Sequence, residues 1–118
     1  TLLCQTLARL LDGRGFRVAT VANPPRTPAA LLAALLAAAG GEPAGGSAAR
    51  LARLLRARLA AIAEDGGRAV LVIDEAQRLD PRALDEVRLL TNAGDAGPGA
   101  PVALFGQPEL ARQVERMP

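Results

Sequence analysis

The 118 residues contain no histidine, no lysine, no tryptophan, no tyrosine and a single cysteine, Cys4. Each absence removes a chemistry. Without histidine neither a Ser-His-Asp nor a Cys-His catalytic arrangement can form, and one thiol supports neither a Cys/His zinc cluster nor an internal disulfide. Any metal must be a hard ion on carboxylates. Without lysine there is no Schiff-base chemistry and no complete G-x-x-x-x-G-K-[ST] phosphate loop within these residues. With Phe16 and Phe105 as the sole aromatics, the stacking platforms that bind single-stranded nucleic acid are also missing.

What is present is alanine, leucine and arginine: 26, 20 and 14 residues respectively. The formal charge of +2 is too small to indicate wholesale binding to nucleic acid or a membrane. An apolar half and 22% charged residues describe a packed domain rather than a disordered chain, and the length suits one domain. The longest apolar run, Ala29 to Ala39, has 11 residues, short of the roughly 20 that cross a bilayer. A lone thiol and no recognisable targeting segment point to the cytoplasm.

Periodicity orders the elements. Leu3, Leu7, Leu10 and Leu11 recur at helical spacing, so a helix is expected from Thr1 to Leu11, ended by Asp12 to Gly15. Phe16 to Ala22 is short and β-branched and predicts a strand. Thr27-Pro28 resembles an N-cap with proline at the first helical position, giving a helix to about Ala39. After a connector from Gly40 to Gly46, Ser47 can cap a helix whose stripe is Leu51, Leu54, Leu55, Leu59 and Ile62, with Arg50, Arg53 and Arg56 on a solvated face. Ala69 to Ile73 is apolar without alternation, the pattern of a parallel strand buried on both faces. Asp80-Pro81 opens a helix to about Leu90, residues 92–100 form a loop, Pro101 to Phe105 is a third strand, and Pro108 to about Arg116 a last helix. This α β α α β α β α order implies an α/β fold of helices layered on a mostly parallel sheet.

Chemistry concentrates at Val70-Leu-Val-Ile-Asp-Glu75. Ligands of open α/β sheets bind beyond the carboxyl ends of the strands, and two carboxylates stand there on the most apolar strand. Adjacent residues leaving a strand point in different directions, so Asp74 can face a nucleotide-bound Mg²⁺ while Glu75 polarises an attacking water. The plainer alternative is that Asp74 terminates a strand and caps the next turn. Gln107, at the end of the next strand, can bring a neutral amide to the same sheet edge, or simply begin a helix with Pro108. Thr1 carries a hydroxyl at the start of the first helix, where phosphate and its Mg²⁺ are attracted.

Thr-Leu-Leu-Cys-Gln-Thr-Leu7, Val-Ala-Asn-Pro24, Val-Leu-Val-Ile-Asp-Glu-Ala-Gln77, Val-Arg-Leu-Leu-Thr-Asn92 and Gly-Gln-Pro-Glu-Leu110 occur in the order found in AAA+ ATPases of the general secretion pathway protein A type, which the chain resembles along essentially its whole length. The resemblance implies a three-layer αβα P-loop NTPase core with strands 2, 3 and 4 of the sheet order 5-1-4-3-2. It further implies one partial AAA+ domain over 1–118, lacking the first strand, the Walker A loop and the C-terminal lid. Asp74 and Glu75 look like the Walker B pair, Gln107 like the sensor at the end of the fourth strand, and Thr1 like a residue just after the Walker A lysine. ATP and Mg²⁺ are the implied cofactors. Glu75 and Gln107 would be catalytic; Asp74 and Thr1 would hold the metal-bound nucleotide. A homo-oligomer or a protein partner, in bacterial secretion or envelope assembly, is the implied setting.

Other readings use the same residues. Transposition regulators similar to this family couple ATP to DNA, a superfamily-two helicase also has Asp-Glu-Ala-Gln, a receiver domain modifies an aspartate after a strand, and a nucleotide-free module needs no site. Phe-Gly-Gln after the third strand disfavours the helicase, and the lack of lysine disfavours the receiver.

Overall fold

The computed structural model describes residues 2–92 and 99–106. Its elements are α1 (Leu2–Gly13), β1 (Phe16–Val21), α2 (Pro28–Ala38), α3 (Ala48–Glu64), β2 (Arg68–Ile73), a 3-10 turn (Ala76–Arg78), α4 (Pro81–Leu89) and β3 (Val102–Leu104). The expected last helix, at 108–116, and Thr1 and Gln107 lie outside the described residues.

The three strands form one parallel sheet in the order β1-β2-β3. Phe16 pairs with Arg68 and Val21 with Ile73, while Leu71 pairs with Val102 and Ile73 with Leu104. This is the 2-3-4 portion of the expected order. Side chains alternate along a strand, so β2 serves two cores at once. Leu71 and Ile73 join Leu31, Leu35, Leu55 and Leu84 in a core formed with α2, α3 and α4, whereas Val70 and Val72 pack on the other face with Cys4, Leu11, Phe16 and Val18. The domain is thus helix, sheet, helix, with the sheet in the middle layer.

Local chemistry sets most boundaries. Ser47 Oγ accepts from the Arg50 amide at 3.1 Å, and Asp80 Oδ1 accepts from the Ala83 amide at 2.9 Å, as N-caps do. Thr27 has the extended backbone of an N-cap, but its side chain makes no capping hydrogen bond. Its carbonyl accepts from the Leu31 amide, and Pro28 at the first helical position brings no amide that needs a partner.

Two expectations change. The buried side of α1 is Cys4, with Leu7 and Leu11 partly covered, whereas Leu3 and Leu10 are 68% and 59% exposed. A helix carrying five leucines is apolar on more than one face, so periodicity alone did not select the one that packs. Half-buried Arg56 does more than face solvent: its guanidinium donates to the carbonyls of Leu89 at 2.7 Å and Asn92 at 3.0 Å, satisfying the open end of α4.

Leu55 is fully buried where α3 meets the sheet. Leu55→Ala should destabilise the domain by about 2–5 kcal/mol through lost burial and the cavity left behind, read as a lower urea midpoint with unchanged slope.

Candidate functional site

The carboxyl end of β2 is held between its neighbours by main-chain bonds. The Asp74 amide donates to Val21 O at 3.0 Å, the Phe105 amide to Ile73 O at 2.9 Å, and the Ala76 amide to Phe105 O at 2.9 Å. All three strands therefore converge on Asp74, which is the only buried charged or polar residue among those described, at 4% exposure. A carboxylate in such a position requires hydrogen bonds or a cation. One bond comes from the chain itself: the Glu75 amide donates to Asp74 Oδ1 at 2.9 Å.

Glu75 has φ 57° and ψ 37°, the one left-handed conformation among the described non-glycine residues. That conformation costs a residue with a Cβ roughly 1–2 kcal/mol. It turns the chain sharply at the strand end, leaving Asp74 inside and the Glu75 side chain half-buried beside it. Glu75 Oε2 accepts from Gln77 Nε2 at 2.9 Å, so the second carboxylate is oriented from within the adjoining 3-10 turn. Backbone strain persists where the surroundings over-determine it, and such positions cluster at functional sites.

The first turn of α1 packs on the other face of the sheet, where Cys4 joins Val70 and Val72. Cys4 is buried there, and its thiol is held above its ordinary value, first by burial and then by the negative charge of Asp74. Cys4 is thus the small core residue anticipated from sequence, with the addition that it lies within electrostatic reach of Asp74. Nothing in the spacing of Cys4 and Asp74 signals that proximity. The Asp-Glu-x-Gln spacing does signal the Glu75–Gln77 bond, because residues i and i+2 approach across a tight turn.

The structure thus brings Asp74, Glu75, Gln77 and the start of α1 to one edge of the sheet. Among the described residues no group of three or more His, Cys, Asp or Glu side chains could hold a metal ion by itself. No described helix is long and apolar enough to cross a membrane.

Comparison with known proteins accords with this geometry. The profile of the AAA domain family matches residues 1–114, and the chain belongs to that family. It is 46% identical over 66 residues to general secretion pathway protein A of Aeromonas hydrophila, a match covering 55% of this chain and 12% of that protein. Among solved structures it is similar to Cdc6p of Pyrobaculum aerophilum, with a TM-score of 0.65 and 20% identity over 96% of this chain and 33% of that one. It is also similar to the Aeropyrum pernix ORC2 protein in its ADPNP–ADP complexes, with a TM-score of 0.61 and 15% identity over 98% of this chain and 32% of that one. The chain therefore has the P-loop AAA+ fold, and spans about a third or less of each of these relatives.

Two outcomes are expected from the site's geometry. Glu75→Gly should be more stable than Glu75→Val by about 1–2 kcal/mol, because only glycine relieves the left-handed backbone, and the difference is read from paired denaturation curves. Because the folded-state value of Cys4 lies above that of the unfolded chain, the neutral thiol contributes stability below the unfolded value, and this is lost as pH rises through the folded one. At a pH of about 8 a thiolate-specific reagent should modify native Cys4 more slowly than the unfolded chain.

Proposed function

We propose that the chain is the ATP-binding and hydrolysing core of an AAA+ ATPase, with Asp74 holding Mg²⁺ on the nucleotide and Glu75 positioning the attacking water. The observation that carries this reading is the strained turn between the two carboxylates. It separates a buried Asp74 at the end of the central parallel strand from a half-buried Glu75 oriented by Gln77. A metal and a water needing different directions of approach are served by such a turn, whereas a simple strand terminator gains nothing from left-handed strain.

The donor set suits Mg²⁺, which keeps several waters and takes one or two carboxylates together with substrate phosphates rather than a full protein cage. One buried carboxylate, Asp74, meets that need, and the Thr1 hydroxyl is the second proposed ligand. Bound there, Mg²⁺ supplies neutralisation of phosphate charge. Glu75 accepts a proton from water at its carboxylate, and Gln107 offers its amide to the same reacting region. The 118 residues contain no lysine, so none of them supplies the phosphate contact of a Walker A lysine.

A place in secretion or envelope assembly is supported by the 46% identity to general secretion pathway protein A. In this proposal hydrolysis is coupled to a partner protein or to neighbouring subunits, in the cytoplasm.

In the active ATPase Glu75→Gln should retain ATP affinity while turnover falls about 10²- to 10⁴-fold, the range of a lost general base. Binding by titration calorimetry and phosphate release measured on the same sample separate the two effects. An unchanged turnover rate would remove Glu75 from its role.

A further inference from the structure

Gly40 ends α2 with φ +85°, and two guanidinium groups converge beside it. Measured from the point where a Cβ on Gly40 would lie, Arg58 Nη2 is 3.0 Å away and Arg17 Nη2 3.2 Å away. Arg58 is fixed in place by its Nε, which donates to Ala39 O at 2.8 Å. Arg17 lies on β1 opposite Ala69, at the start of the sheet and therefore at the far end from Asp74. Like charges converge only at a cost, and no ion pair among the described residues relieves it. Among those residues neither Arg17, Arg50 nor Arg58 forms an ion pair.

Beside this pair opens a recess of about 560 Å³ between the end of α2 and α3. Arg50 and Arg58 line it together with apolar Leu36, Leu54 and Ala57. Glu42, the sole carboxylate in the lining, is exposed and pairs with none of the arginines. The volume is that of a small-molecule site, about 300–1,000 Å³. Guanidinium groups are suited to the planar, multidentate recognition of phosphate oxygens.

We propose that this recess binds a phosphomonoester with an apolar body, its phosphate held by Arg58 and Arg50, which line it, with Arg17 beside Gly40 outside the lining, and its body against Leu36 and Leu54. A concave pocket with an apolar wall favours a small ligand over the backbone of a duplex, which needs an extended basic surface. The site is independent of the nucleotide site at the other end of the sheet.

Phenyl phosphate is a suitable probe, followed by amide chemical shifts in the 118-residue chain at constant ionic strength. The expected result is saturable shifts at Gly40, Gly41 and Ala57 with a millimolar or tighter Kd, weakened about five- to tenfold in Arg50→Gln. Arg50→Gln is the primary variant because Arg50 lines the recess and is exposed, whereas Arg58→Gln also loses the bond to Ala39 and would lower stability. Shifts that sodium chloride reproduces, shifts confined to Asp74 through Gln77, or affinity unchanged in both variants would each overturn the proposal. So would a short DNA duplex that occupied the same amides more tightly than phenyl phosphate.

Discussion

The structure depends on the double burial of β2. Val70, Leu71, Val72 and Ile73 are at most 6% exposed, and they alternate between a core shared with α1 and one shared with α2, α3 and α4. A strand in that position cannot shift by one residue without exchanging its two faces and their packing partners. The register with β1 and β3 is therefore specified, and with it the place at which β2 ends. A site built on the next residue inherits that definition.

Asp74 is where the apolar strand meets a charge. Its amide completes the ladder to β1, its carboxylate is buried, and the following residue adopts the left-handed turn that carries the chain out of the sheet. The rigid ladder holds the strain in Glu75, since relaxing the turn would require giving up the bonds from Asp74 to Val21 and from Ala76 to Phe105. Stability stored in the core is thus expressed as positional accuracy at the sheet edge. The same strands carry Arg17 at their opposite end, so the two proposed sites are separated by the length of the sheet.

Much of this was legible in advance. The element order as far as the third strand, the capping by Ser47 and Asp80, the parallel sheet and the location of Asp74 and Glu75 at a strand end all derive from short-range signals that few alternatives share. The unalternating run from Ala69 to Ile73 was informative because only a strand covered on both sides tolerates it. The orientation of α1 and the role of Arg56 were not legible. Five leucines on one helix leave the buried face undetermined, and the partners of Arg56, the carbonyls of Leu89 and Asn92, lie more than thirty positions away in sequence.

By itself the sequence determined which chemistries are closed to this chain and which strand end carries its acids, because composition and periodicity are local properties. Only the tertiary structure decided that Cys4 feels the charge of Asp74, that Glu75 is left-handed and tied to Gln77, and that Arg17 and Arg58 converge beside Gly40. Except for the Glu75–Gln77 bond, which spacing hints at, these are products of packing. Burial forces distant segments together, and the hydrogen bonds and charges that result belong to the fold rather than to any stretch of the chain.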